Sequence, residues 1–313
     1  MFRLIIIINL TLFTSCTVMK QSKDRAYKRI EEDSTIILNT KRFGNVEYVI
    51  DNKEGTPVLV IHGIVGGYDQ GVQTAKNLLP GSQQYISISR FGYLQSDMPA
   101  KPTPANQCEA IMRVLEHNEI KNVILLATSA GGTIAFKFAL SYPDYVKGMI
   151  LIGSGYPNKM KDKIPKGPPA FVFNDFFFTL FVNHMQGTLL KMFGVSKEEY
   201  EHASSYEREQ FDNMMKTLLP VKPRKLGIIN DNKVINPDMM KNYDAYPIEK
   251  LSTPVLVLHA KNDPMASLEN MKEASERLKN KKVIVYEQGG HILFGHSQAN
   301  KQHISDFIER ISK

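Results

Sequence analysis

Val123-Ile124-Leu125-Leu126-Ala127-Thr128-Ser129-Ala130-Gly131-Gly132-Thr133-Ile134-Ala135-Phe136 is the stretch on which the fold turns. It opens with five apolar residues in a row, the pattern of a strand buried on both faces of a parallel sheet. It closes on residues that suit the first turns of a helix. Between the two lies a turn of small residues with a single hydroxyl at its apex. Small residues are required there because a strand running straight into a helix presses its turn against the neighbouring strand and helix. At the start of that helix Ser129 meets the partial positive charge of the unpaired N–H groups, which favours a developing anion. Ala127–Gly131 alone fits a Gly-rich helix start with a capping serine equally well, so its surroundings decide.

Outward from this point, short apolar runs alternate with helical stretches, as in a mostly parallel sheet covered on both faces. The runs predict strands at Val58–His62, Tyr85–Ser89, Val123–Ala127, Val146–Ile152, Val255–His259 and Val283–Tyr286. Helices are predicted near 69–79, 104–117, 131–141, 268–280 and 299–312. Thr35–Leu38 and Val46–Ile50 read as a hairpin. The interval from Ile152 to Val255 is too long for a loop in a compact domain. Residues 154–247 are therefore expected to form an inserted, mainly helical cap, between core segments 34–153 and 248–313. Residues 1–15 are a predicted leader, and the polar residues 16–33 a predicted tether.

The pentad Ala127-Thr128-Ser129-Ala130-Gly131 closely resembles the G-x-S-x-G nucleophile elbow of α/β-hydrolases, with Ala127 where that motif has its first Gly. His62-Gly63-Ile64-Val65-Gly66-Gly67, after a predicted strand, is similar to the family's H-G-x-x-G-like loop. The resemblance implies an oxyanion hole made by the N–H of Ile64, or alternatively Val65, and the N–H of Ala130, with His62 structural. Two later strands end in Ala260-Lys261-Asn262-Asp263-Pro264 and Glu287-Gln288-Gly289-Gly290-His291. Both place a candidate at the carboxyl end of a strand, where open α/β sheets build their sites. Ser129, Asp263 and His291 stand in the family's chain order. By that resemblance Ser129 is the nucleophile, His291 its base and Asp263 the acid that orients the imidazole. Asp231 is a rival acid inside the cap, and His296 a rival base. Ser89-Arg90-Phe91-Gly92-Tyr93 resembles the family's D-R-x-G-x-G turn, with Ser89 in place of Asp, and Lys225–Asp231 is similar to a stretch of lidded hydrolases; both are taken as structural. The expected architecture is the α/β-hydrolase fold, with a mostly parallel central sheet, helices on both faces and a helical cap insertion.

These motifs imply a serine hydrolase that cleaves an ester, or less readily an amide, through an acyl-Ser129 intermediate without metal or organic cofactor. Acyl transfer and C–C bond hydrolysis use the same triad, and a non-catalytic binding protein is the reading from another class. Residues 171–181 contain six phenylalanines. Phe176, Phe177 and Phe178 are candidate contacts for a hydrophobic acyl substrate, and packing inside the cap is the alternative use of the same rings.

Arg3 precedes the apolar run Leu4–Phe13, followed by Thr14-Ser15-Cys16. A short apolar stretch closing on small residues reads as an export signal. The cysteine that follows resembles a bacterial lipobox, with Phe13 where Leu is usual, which implies cleavage and lipidation of Cys16. The expectation is an exported, membrane-anchored lipoprotein, with plain secretion or an uncleaved N-terminal anchor as alternatives. Residues 1–30 hold six cations against Asp24 alone, a balance of +5, so the other 283 residues hold only +2 of the chain's +7. A basic arm on a nearly neutral body suits an anionic membrane surface and argues against a nucleic-acid groove. Cys108 is the only other cysteine, and reads as a small buried hydrophobe.

Overall fold

The computed structural model describes residues 2–51, 54–159 and 169–312, with side chains described from residue 17 onward. The chain opens with helix α1 (Phe2–Glu32), followed by strands β1 (Ile36–Asn39), β2 (Asn45–Asp51) and β3 (Glu54–Ile61). Helix α2 (Tyr68–Leu78), β4 (Gln83–Ile88), α3 (Pro104–His117), β5 (Val123–Thr128), α4 (Gly131–Ser141) and β6 (Val146–Ile152) complete the first part of the core. The second part is β7 (Val255–Ala260), preceded by the cap, then a helix over Leu268–Arg277, β8 (Lys281–Tyr286) and a last helix over Ser297–Ser312.

The eight strands form one sheet in the order β1-β2-β4-β3-β5-β6-β7-β8. β1 and β2 pair antiparallel, as do β2 and β4, and every pairing from β4 through β8 is parallel. The unbroken apolar letters of β5 have a direct cause. Val123, Leu125 and Ala127 pack into the layer that holds Leu115 of α3 and Ile134 and Phe138 of α4. Ile124 and Leu126 face the opposite layer, against Ala75 of α2 and Ile304 and Phe307 of the last helix. With side chains alternating between two buried faces, the strand is apolar from Val123 through Ala127.

Between β6 and β7 the described residues form six α-helices: α5 (Asp175–His184), α6 (Gln186–Phe193), α7 (Lys197–His202), α8 (Ser205–Lys216), α9 (Lys225–Asn230) and α10 (Asn236–Lys241). Asn174, Ser196 and Ser204 cap α5, α7 and α8 by accepting backbone N–H groups, and Ser196 and Glu199 form a reciprocal capping box. The cap packs around a small core of Leu190, Phe211 and Met215, joined by Phe294 from the loop after β8.

The tether expected at residues 16–33 is instead the second half of α1, docked on the body. Ala26 is buried. The Tyr27 hydroxyl donates to Asp175 at 2.7 Å, and Arg29 donates to Asp69 and to the Leu219 carbonyl, each at 2.6 Å. Polarity alone suggested a solvated linker. The polar groups are spent on acceptors distant in the chain, which no local pattern reveals. Cys16 lies outside the residues whose side chains are described.

Candidate active site

β5 delivers Ser129 into a turn where its backbone adopts φ 50°. That conformation costs a non-glycine residue energy and persists only where the surroundings enforce it. Here they do: the Ser129 N–H donates to the Ile152 carbonyl at 3.1 Å, and its own carbonyl accepts from Gly132 and Gly155. Gly131 is required by close approach, since a Cβ there would lie 2.4 Å from the Ile61 carbonyl oxygen. At Ala127, by contrast, a methyl is accommodated in full burial, so the departure from Gly costs nothing visible.

Asp263 follows β7 and His291 follows β8, so adjacent strands bring them together. His291 Nδ1 lies 3.0 and 2.9 Å from the two Asp263 oxygens. Asp263 Oδ1 also accepts the N–H groups of Met265 and Ala266 at 2.8 and 2.9 Å. Burial pushes this carboxyl up, but the His291 hydrogen bond and charge and the two N–H donors outweigh it and hold it below the usual carboxylate range. Gly153, at the end of β6, makes room for the pair, because a Cβ there would meet the His291 carbonyl at 2.4 Å. Ser129 and His291 line the same cavity.

The loop over 62–67 packs onto the elbow, and a Cβ on Gly63 would come within 3.0 Å of Ser129 Cβ. Ile64 and Val65 both face the cavity. His62 is buried and occupied at both nitrogens. Its Nδ1 pairs with the Gly63 carbonyl at 2.7 Å, and its Nε2 accepts the Arg90 N–H at 3.1 Å. Burial and the Arg90 charge keep it neutral. Among the rivals, Asp231 is consumed by Arg90, as described below, and His296 stacks on Tyr286 with Nε2 at the Gln288 carbonyl. Cys108 is buried, and burial pushes its thiol up.

The cavity has a volume of about 610 Å³ and extends from Ser129 into the cap. Phe173, Phe178, Phe181, Phe211, Met214 and Leu218 make its walls almost wholly apolar. Phe177 and Phe178 line it, whereas Phe176 does not: that ring points outward and is 62% exposed. Successive residues of a helix point about 100° apart, so three consecutive phenylalanines cannot share one face. Among the described residues no cluster of His, Cys, Asp and Glu could hold a metal.

The family profile described as alpha/beta hydrolase fold matches residues 56–296. The chain belongs to the α/β-hydrolase family. It is similar to two Bacillus subtilis proteins: the uncharacterized hydrolase YcgS, 35% identical over 34% of this chain and 37% of that one, and the AB hydrolase superfamily protein YisY, 24% identical over 85% and 94%. A human (lyso)-N-acylphosphatidylethanolamine lipase is 27% identical over 43% of this chain and 41% of its own length. The chain thus spans well under half of two of these relatives. Among solved structures, a membrane phospholipase A covers 99% of both chains with TM-score 0.67 at 17% identity.

What sequence reasoning missed in this α/β-hydrolase is how the oxyanion-type loop is held. Arg90 donates to both Asp231 oxygens at 2.6 Å, to the His62 carbonyl at 3.1 Å and to the Gly63 carbonyl at 3.1 Å. Arg224 donates to the two Asp69 oxygens at 3.0 and 2.7 Å and to the Gly66 carbonyl at 2.6 Å. All four charged side chains are at most 2% exposed. Each pair joins the core to the cap, and between them they grip both ends of the loop. The partners stand 141 and 155 residues apart, with no local signal that joins them. Burial raises the Asp69 carboxyl, but Arg224 and then Arg29 outweigh it, and its pKa is lowered.

Gly131→Ala is expected to cost on the order of 4 kcal/mol or more, because a backbone carbonyl cannot step aside; a thermal melt like the wild type's would refute the close approach. Asp69→Asn is expected to cost about 3–5 kcal/mol at neutral pH by leaving Arg224 without its buried counter-charge. A depressed carboxyl stabilises fully above its unfolded pKa and loses that contribution as pH falls through the folded one. Wild-type stability therefore gains an acid-dependent loss below about pH 4 from this site. Urea unfolding across that window should show a shallower pH dependence in the Asn variant.

Proposed function

We propose that this α/β-hydrolase is an exported serine hydrolase, anchored to a membrane through lipidated Cys16, that cleaves small-molecule esters with hydrophobic acyl groups. The observation that carries the chemistry is the hydrogen bond to Asp263 made by His291, which lines the same cavity as Ser129. In this reading neutral His291 takes the Ser129 proton as Oγ attacks the ester carbonyl, while Asp263 holds the imidazole tautomer and stabilises the imidazolium. His291 then returns the proton to the departing alcohol, and water releases the acid from acyl-Ser129 by the same route. The N–H groups of Ile64 and Ala130 receive the oxyanion. Val65 is the alternative donor to Ile64, and both residues face the cavity.

The apolar walls support an acyl chain as the part of the substrate that is bound, and the lipase and phospholipase among the similar proteins agree with that class. For the anchor, support comes from the sequence before residue 17. Among the described residues no helix is long and apolar enough to cross a membrane.

A fluorophosphonate probe should label the wild type at Ser129 and leave Ser129→Ala unlabelled, with ester turnover in the variant lower by roughly 10⁴-fold or more. Equal labelling of both proteins would remove Ser129 from the chemistry. His291→Ala should lower turnover to a similar extent, since the Ser129 proton then has no acceptor. Wild-type turnover in that variant would exclude His291 as the base.

A further inference from the structure

The cavity opens onto an apolar rim. Phe171, Phe177, Met185, Met192 and Met265 line the cavity and are also exposed. Beside them stands Phe176, outside the cavity and edge-on to Phe177, with ring centroids 5.5 Å apart. A contiguous exposed patch of large apolar side chains at the mouth of a site is the signature of a surface that meets something apolar.

The position of α1 identifies what it meets. α1 and α5 pack together in opposite directions: Ser22 bonds Asn183 at 3.3 Å and Tyr27 bonds Asp175 at 2.7 Å. Cys16 precedes Ser22 by six residues of the same helix, roughly 9 Å at about 1.5 Å per residue. The backbone of α1 at residue 16 therefore lies toward the Met185 end of α5, the helix that carries Phe176 and Phe177 in its first turn. On α1 itself Val18 is exposed, and Lys20, Lys23 and Arg25 are exposed against Asp24. Exposed cations on α1 and exposed aromatic rings on α5, the helix packed against it, match the headgroup and upper acyl layers of an anionic bilayer.

We propose that the α1–α5 pair lies flat on an anionic lipid bilayer, with Phe176 and the cavity rim set into it, so that the acyl chain enters from the membrane. The substrates are then acyl lipids resident in the bilayer. This deepens the membrane-anchored ester-hydrolase reading and rests on it.

The protein contains no tryptophan, so Phe176→Trp gives a single-fluorophore reporter in the full acylated chain. On vesicles of phosphatidylethanolamine and phosphatidylglycerol its emission should shift to the blue and be quenched when the acyl chains carry bromine. His117→Trp, exposed at the end of α3 just before the amino end of β5, opposite the strand end that carries Ser129, should show neither change. Unshifted, unquenched emission at 176 overturns the proposal, as does equal quenching at 117. A blue shift that follows protein concentration without lipid assigns the face to a second copy of the chain and overturns it too. The same signals are expected in a Ser129→Ala background, so failure of docking and failure of the chemistry are read separately. Phe176→Glu should lower the ratio of vesicle-lipid turnover to dissolved short-chain ester turnover by about tenfold or more, about 1.4 kcal/mol or more; an unchanged ratio counts against the rim.

Discussion

Two buried arginine–aspartate pairs hold the loop that faces Ser129. Taking four charges out of water costs several kcal/mol per ion, offset only where every donor and acceptor finds a partner. Arg90 and Arg224 meet that condition by reaching past their carboxylates to the carbonyls of His62, Gly63 and Gly66. Apolar contacts could join a cap to a sheet in many registers. Two bidentate ion pairs, one at each end of a six-residue loop, admit one. The same interaction that seats the cap also sets the backbone N–H groups beside the elbow.

The rest of the site is built by strand ends. β5 ends in the strained turn at Ser129, and β7 and β8, neighbours in the sheet, end in the loops that carry Asp263 and His291. Small residues appear wherever backbones crowd: Gly131 under the Ile61 carbonyl and Gly153 beneath His291. The cap supplies none of the Asp263–His291 pair. It closes the cavity with aromatic and methionine side chains and adds Phe193, stacked on the His291 ring at 6.5 Å between centroids. Chemistry and recognition thus occupy different layers. α1 belongs to both, because Arg29 shares Asp69 with Arg224 while Tyr27 holds α5.

Ser129, Asp263 and His291 were legible as candidates because each follows an apolar strand, and a buried strand announces itself in consecutive letters. Ala127–Gly131 was legible for the same reason: a tight turn admits few residue types. The face of each phenylalanine was less so, and Phe176 stands outside the cavity its neighbours line. Asp231 carried a carboxylate in the right part of the chain to rival Asp263, and only its bidentate contact with Arg90 assigns it to structure.

By itself the sequence determined the alternation of buried strands with helices, the order of the three candidate side chains and the presence of a long insertion. Those properties are local: periodicity, turn chemistry and spacing act over a few residues. The tertiary structure decided that residues 17–32 dock as a helix, that Arg90 meets Asp231 and Arg224 meets Asp69, and that α1 packs beside α5, which carries part of the cavity rim. Those contacts join residues far apart in the chain, and an ion pair or a shared cavity wall leaves no pattern in the letters between its two ends.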